Sequence, residues 1–429
     1  MAVTGRLVAL VAVGGVPIAL LPGWAPVLAW VLLVLLAVGL DLLLAVSPKA
    51  LALERSVPTS LRLDEATTCE LLVTNPTPRR LRGLVRDAWG PSAGAGVDRH
   101  RLDVPAGERR RYLTPLRPTR RGDRPADLVT VRSLGPLGVA GRQRSLPAPA
   151  SLRVLPHFRS RRHLPSRLAR LRDVEGRSSV QVRGQGTEFD SLRDYVDGDD
   201  VRSIDWRATA RRQELVVRTW RPERDRRVLL VLDTSRTAAG RVGDAPRLDA
   251  AMDAGLLLAA LASRAGDRVD LVAVDRRVRA RVERATGAAL LPALVQAMAP
   301  LEARLTEADW PLVVRTVRTS LTRRALVVLL TPLEAAVEET LLPVLEQLTA
   351  RHQVVLASVT DPRVEEMRAG RGDEVAVYGA AAAERTVLET DRLARRLARS
   401  GVHVVRGTPE ELPPRLADAY LALKAAGRL

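Results

Sequence analysis

The sequence predicts a mixed α/β chain in three parts: an N-terminal transmembrane helical hairpin, a β-sandwich-like domain, and a C-terminal doubly wound domain with a mostly parallel sheet. Three observations predict it. Two apolar runs, residues 7–21 and 27–46, open the chain. Short strand-like segments bounded by Pro and Gly fill residues 51–155. From residue 226 onward, apolar runs of strand length alternate with helix-period segments.

The second apolar run, "VLAWVLLVLLAVGLDLLLAV", is long enough to span a bilayer; the first, "LVALVAVGGVPIALL", is shorter. Pro22, Gly23 and Pro26 make a turn between them, and Trp24 and Trp30 stand where interfacial aromatics would. Arg6 precedes the first run, Lys49 and Arg55 follow the second, and the turn is uncharged. The positive-inside rule then places both ends in the cytoplasm, so a multi-pass inner-membrane protein with a large cytoplasmic part is expected. The alternative is a signal peptide or a single anchor. Asp41 interrupts the second run; it is read either as hydrated near the inner interface or as a contact to a partner helix.

Residues 51–155 contain "CELLVTN", "LRGLVRDAW", the two-strand pattern "HRLDVPAGERRRYLTPL" and "ADLVTVRS", a spacing that suggests a β-sandwich. Such a domain is read as a spacer or docking module. "SLRVLPHFRSRRHLPSRLARLRD", residues 151–173, reads as a basic connector carrying a helix. The expected divisions are 1–50, 51–155, 156–225 and 226–429.

In the last part, "RRVLLVLD" (226–233), "DRVDLVAVD" (267–275), "RRALVVLLT" (323–331), "HQVVLASV" (352–359) and "VHVVRG" read as strands. "RVRARVE" (277–283) reads as a polar edge strand. Helices are expected between and after them, from "RLDAAMDAGLLLAALASRAG" to "EELPPRLADAYLALKAAG". Ligands of such sheets bind at the carboxyl ends of strands, where Asp233 and Thr331 stand.

Composition narrows the chemistry. The net charge is +18 across 429 residues, yet Lys49 and Lys424 are the chain's two lysines, and the arginines are spread along it. With no aromatic-interleaved basic cluster, nucleic-acid binding is not expected. One cysteine, Cys69, rules out an intrachain disulfide, and five scattered histidines give no zinc spacing. No P-loop, no dinucleotide-binding glycine motif and no nucleophile elbow occur. What remains is "DTSRT": Asp233, Ser235 and Thr237 offer hard oxygens around one turn, a set suited to Mg²⁺ or Mn²⁺. The same residues would equally serve to cap the turn after the strand.

The stretch "FDSLRDYVDGDDVRSIDWRATARRQELVVRTW" resembles the signature of the domain of unknown function 58 family, through Tyr195, Gly198, Asp199, Asp200, Arg202, Asp205, Trp206 and Arg211. The D-x-S-x-T pattern after a buried strand resembles the metal-ion-dependent adhesion site of von Willebrand factor A-like domains. The resemblance covers nearly the whole chain and implies a two-span anchor, a β domain and an A-type domain. By that resemblance Asp233, Ser235 and Thr237 are the first metal loop and Thr306 is the second-loop threonine. The third loop, which supplies an Asp in such sites, reads "LLTPLE" here, so the set is incomplete. Family members resemble adaptors for MoxR-type AAA+ ATPases and sometimes partner transglutaminase-like membrane proteins.

The implied function is non-enzymatic recruitment at the membrane; the alternative is a structural component of a cell-envelope complex acting through the β domain. The acidic knot at Asp197–Asp200 is read as a turn whose carboxylates pair with Arg193, Arg202, Arg207 or Arg211. Trp206 is expected to anchor the following helix against the A-type domain. A direct partner-binding role is the second reading.

Overall fold

A computed structural model of the chain describes residues 2–21, 23–181, 188–221 and 226–429. It divides into two compact units, Met1–Leu155 and Pro156–Leu429.

In the first unit, the leading apolar run forms two short helices, Gly5–Val13 and Gly15–Leu20. The second run forms one helix, Trp24–Leu44, about 31 Å long. Among the described residues it is the one helix long and apolar enough to cross a membrane. Trp30 lies against Gly14, where a Cβ would fall 1.9 Å from the indole Nε1, so only glycine admits that approach.

Asp41 is neither hydrated nor turned to a partner helix. It is fully buried, and its carboxylate accepts the backbone N–H groups of Leu137 (2.8 Å), Val139 (2.7 Å) and Ala140 (3.0 Å). The start of the chain reaches the same loop. Ala2 and Val3 pair with Gly141 and Ala140, and the Thr4 hydroxyl donates to Gly138 O at 2.6 Å.

Two sheets follow. One orders strands Ala2–Val3, Ala140–Leu155, Gly122–Leu134, Leu81–Asp87 and Arg99–Val104, with Ser60–Arg62 also on Ala140–Leu155. The other holds Ala52–Ser56, Thr67–Thr74 and Arg109–Leu116. Leu71 and Val73 of the second share a core with Val85, Leu102, Val104, Val129 and Val131 of the first. The alternation of buried and exposed residues along Leu81–Asp87 follows from this one-sided packing. Two expectations change here. Residues 151–155 are the end of a strand, not the start of a connector. Arg55 is not a membrane-flanking charge: its side chain is fully buried against Asp87.

In the second unit, helix Leu164–Gln181 precedes an antiparallel pair, Glu188–Asp194 with Val216–Arg221. The main sheet then comprises β1 (Arg227–Asp233), β2 (Arg268–Val274), β3 (Val278–Val282), β4 (Leu326–Leu330), β5 (Gln353–Val359) and β6 (Val402–Gly407). Its order is β3-β2-β1-β4-β5-β6, parallel throughout except for β3. β1 and β4 are buried on both faces, as strands covered by helices on each side must be. The order reverses between β1 and β4, the position where open α/β sheets leave a crevice.

Asp253, on helix Arg247–Arg264, is buried and accepts the Ser160 hydroxyl at 2.9 Å and its backbone N–H. Burial pushes this carboxyl up, and the Ser160 bonds oppose the shift. A raised folded pKa gives a contribution fully present below the unfolded value and lost as pH rises through the folded one. Asp253→Asn keeps an acceptor for Ser160 without the charge. Its melting temperature, relative to wild type, is therefore expected to climb as pH rises from about 4 to about 7. A pH-independent difference between the two proteins would refute this.

Candidate functional site

The strand ends at the switch point gather one carboxylate and several hydroxyls. Asp233 closes β1 and is buried. Its Oδ1 accepts the Ser235 N–H at 2.8 Å. Its Oδ2 accepts the Thr237 hydroxyl at 3.0 Å and, from the end of β4, the Thr331 hydroxyl at 2.7 Å. Ser235 Oγ and Thr237 Oγ1 lie 3.0 Å apart. One carboxylate thus ties the loop after β1 to the strand beside it, 98 residues away.

Thr306 is brought to this loop. Arg304 N donates to Thr234 O (2.8 Å) and Arg236 N to Thr306 O (2.9 Å), which lays residues 304–306 along residues 234–236. The hydroxyls of Thr306 and Thr234 are buried without a hydrogen-bond partner. Leu305, between these contacts, is 86% exposed. Glu334 is elsewhere engaged: its carboxylate meets the Arg247 guanidinium.

The donor set decides whether a resident metal fits. Mg²⁺ sites built by a protein use one or two carboxylates and keep several waters. Here there is one carboxylate, both of whose oxygens already accept protein hydrogen bonds, and the group that reaches it from the end of β4 is the Thr331 hydroxyl, not a second acid. Among the described residues no group of three or more His, Cys, Asp or Glu gathers anywhere. The two orphaned hydroxyls add oxygen but no charge. This set does not fit a divalent ion held by the protein's own groups alone.

The signature stretch forms the head of the 188–221 hairpin, and three of its acids, Asp199, Asp200 and Asp205, have definite local tasks. Gly198 takes φ +104°, a conformation that favours glycine, in the turn after Val196. Asp199 accepts Arg193 Nη2 at 2.5 Å and the Val196 N–H at 3.0 Å. Asp200 caps the short turn Val201–Ser203 by accepting the Arg202 N–H. Asp205 caps helix Trp206–Arg212 through the N–H groups of Arg207 and Ala208 and pairs with Arg218 at 2.8 Å. The Ala208 amide first, then the Arg218 guanidinium, hold the Asp205 carboxyl below the usual range. The Tyr195 N–H donates to Leu215 O, closing the head.

Arg193 is therefore one of the expected partners, while Arg202 contributes its backbone amide, and Arg218 was not foreseen. Trp206 corrects the expectation made for it. It is 67% exposed, whereas Ile204, two residues earlier, is buried and bridges to Val217. The residue that fastens this piece is Ile204. Trp206 stands at the first helical position beyond the Asp205 cap, and Arg211 on the same helix is also exposed.

A family model described as "Protein of unknown function DUF58" matches residues 191–404, from inside this hairpin into β6. The chain belongs to the DUF58 family. Uncharacterized proteins of Mycobacterium bovis (Mb1516) and Mycobacterium tuberculosis (Rv1480) are 27% identical over 188 residues, which is 43% of this chain and 59% of theirs. The match thus spans less than two thirds of those relatives. A PapD-like domain of human CEP192 aligns with 25% of this chain and 92% of its own at 12% identity, with a TM-score of 0.16, too low to bear on the fold. The DUF58 match takes in both the hairpin head and the strand-end cluster.

Proposed function

We propose that this DUF58 chain is a non-enzymatic, membrane-anchored adaptor. Its C-terminal domain, read as von Willebrand factor A-like, recruits a MoxR-type AAA+ ATPase or that ATPase's client at the cytoplasmic face of the inner membrane. The observation that carries this reading is Leu305. It is an almost fully exposed leucine set beside the Asp233 loop, at the end of the sheet where doubly wound domains bind their ligands. The strand order and the antiparallel edge strand β3 support the A-type reading. The hydrogen-bonded Asp233 cluster supports recruitment by a shaped surface and gives no support to turnover.

The hairpin anchor is supported by one loop. Residues 2–4 and Asp41 both bond to residues 137–141, so the two ends of the apolar stretch lie together. That arrangement also favours a second reading, in which the β domain, gripping its anchor, is the working contact of a cell-envelope complex; a transglutaminase-like membrane protein belongs to the adaptor reading as a further partner.

Affinity capture separates the two. Detergent-solubilised wild type is expected to retain an AAA+ ATPase, and Leu305→Ser to lose at least about tenfold of it, with little change in melting temperature because the side chain is already in solvent. Capture unaffected by Leu305→Ser, or no ATPase with either protein, would sink the adaptor reading. An envelope protein captured by both would favour the β domain.

A further inference from the structure

We propose that the junction between the apolar helices and the 135–141 loop seats an anionic phospholipid headgroup, with Arg6, Arg79 and Arg142 as its cationic donors. The inference rests on the membrane-anchored reading and deepens it by naming a lipid class.

Two guanidinium groups meet the end of helix Trp24–Leu44, and a third lies on the loop that holds Asp41 of the same helix. Arg142 Nε donates to Leu42 O at 2.9 Å. Arg79 Nη1 donates to Leu43 O at 3.1 Å and reaches Leu44 O at 3.5 Å. Arg6 Nη1 reaches Leu137 O at 3.4 Å. The contacts of Arg142 and Arg79 satisfy carbonyls that a helix end leaves without partners. A carbonyl, however, does not neutralise a guanidinium, and each arginine has five N–H groups. Arg6 and Arg79 are exposed. Among the described residues none of the three pairs with a carboxylate. The acid at this junction, Asp41, has both oxygens occupied by backbone amides. The loop is built for the approach: a Cβ on Gly135 would fall 2.3 Å from Asp41 Oδ1, and one on Gly138 would fall 2.9 Å from Arg6 Nη1.

The ligand must therefore supply negative charge in the plane where apolar surface begins. Leu43 is 72% exposed and Val8 67%, so acyl chains have a surface to lie on directly beside the arginines. A phosphodiester with attached chains uses both features, and a free phosphate would use one. Arginine's fork suits a phosphate better than a point charge does.

Full-length protein in nanodiscs containing equal amounts of phosphatidylcholine and phosphatidylglycerol, released into native mass spectrometry, tests this. Wild type is expected to retain phosphatidylglycerol roughly fivefold or more over its bilayer share. The Arg6→Gln/Arg79→Gln/Arg142→Gln variant is expected to fall to that share, and Lys49→Gln to match wild type. Hydrogen exchange on wild type alone covers a triple variant that does not fold: the Leu137, Val139 and Ala140 amides are expected to exchange more slowly when phosphatidylglycerol is present. Retention without headgroup preference, a triple variant still enriched, or displacement of the lipid by inorganic phosphate would each overturn the seat while leaving the anchor intact. Failure of the wild type to enter the bilayer would overturn the anchor reading and this inference together.

Discussion

Asp87→Ala is expected to open the N-terminal unit, raising the reaction rate of Cys69 with a thiol reagent by roughly 10²- to 10⁴-fold, the equivalent of about 3–5 kcal/mol for a buried charge left alone. The reason is how many elements meet on one guanidinium. Arg55, from the three-stranded sheet, gives Nε and Nη2 to Asp87 Oδ1 of the other sheet at 2.9 and 2.7 Å. Its Nη1 reaches Ala126 O at 2.8 Å and also Ala148 O, and its Nη2 reaches Leu128 O at 3.2 Å. Ala126 and Leu128 flank a register shift in the ladder with Ala140–Leu155, so the arginine donates to carbonyls on either side of the bulge. The Trp89 ring lies 5.5 Å from its Cζ, and Trp89 Nε1 donates to Asp87 Oδ2.

Cys69 reports the opening because it is fully buried in the folded form, where burial first, and then the Asp87 charge, push its thiol up to about 12. Replacing both charges, as in Arg55→Met/Asp87→Leu, is expected to recover part of the loss. Full recovery is not expected, since the carbonyls of residues 126, 128 and 148 would lose the N–H groups that Arg55 gives them. A labelling rate within threefold of wild type for Asp87→Ala would show that the pair is not what holds the sheets.

Why Arg55 read as a membrane-flanking charge is the same reason Asp41 read as a hydrated or helix-facing acid. The sequence shows a charge beside an apolar run, but what receives that charge lies 32 to 93 residues away for Arg55 and 96 to 99 for Asp41. Local periodicity carries no trace of such partners. Where structure is set locally, the reading was accurate. "VHVVRG" is β6, and "RVRARVE" contains the antiparallel edge β3. The acids of the hairpin head cap and turn the chain within a few residues of themselves. Strand Ala140–Leu155 was missed for a definite reason: Pro147 and Pro149 argue against a strand. Residues 142–152 pair on one side with Gly122–Leu134 and have no neighbour on the other among the described residues, so proline's missing N–H costs nothing there. Lys424, one of the chain's two lysines, is buried on Asp267 and Tyr420 of the same unit.

The strand-end cluster was half legible for a related reason. The spacing of Asp233, Ser235 and Thr237 is local, and it marked the loop. The absence of an acid after β4 was visible too, but what Thr331 does there was not, because β1 and β4 become neighbours only in the sheet. Their bond makes a sharp prediction. Asp233→Ala removes the acceptor of two buried hydroxyls and one buried N–H, and is expected to cost about 3 kcal/mol of the second unit's stability, at about 1–3 kcal/mol per stranded group with less than full additivity. Asp233→Asn keeps one oxygen, which serves either Ser235 at the Oδ1 place or the two hydroxyls at the Oδ2 place but not both, so a cost of about 1–2 kcal/mol, smaller than that of Asp233→Ala, is expected.

Denaturant melts of both variants, each with Mg²⁺ and with chelator, separate a hydrogen-bond hub from a metal site. A hub gives the same ladder of stabilities in both conditions. A metal held by these groups would instead raise the wild-type midpoint in Mg²⁺ by RT ln(1 + [L]/Kd) and leave Asp233→Asn unmoved. The single carboxylate and its three donors favour the first outcome. They also imply that Thr331→Val, which removes a donor while keeping the shape, weakens the same junction from the β4 side and is not additive with Asp233→Ala, because both delete the 2.7 Å bond that joins the two strands at the switch point.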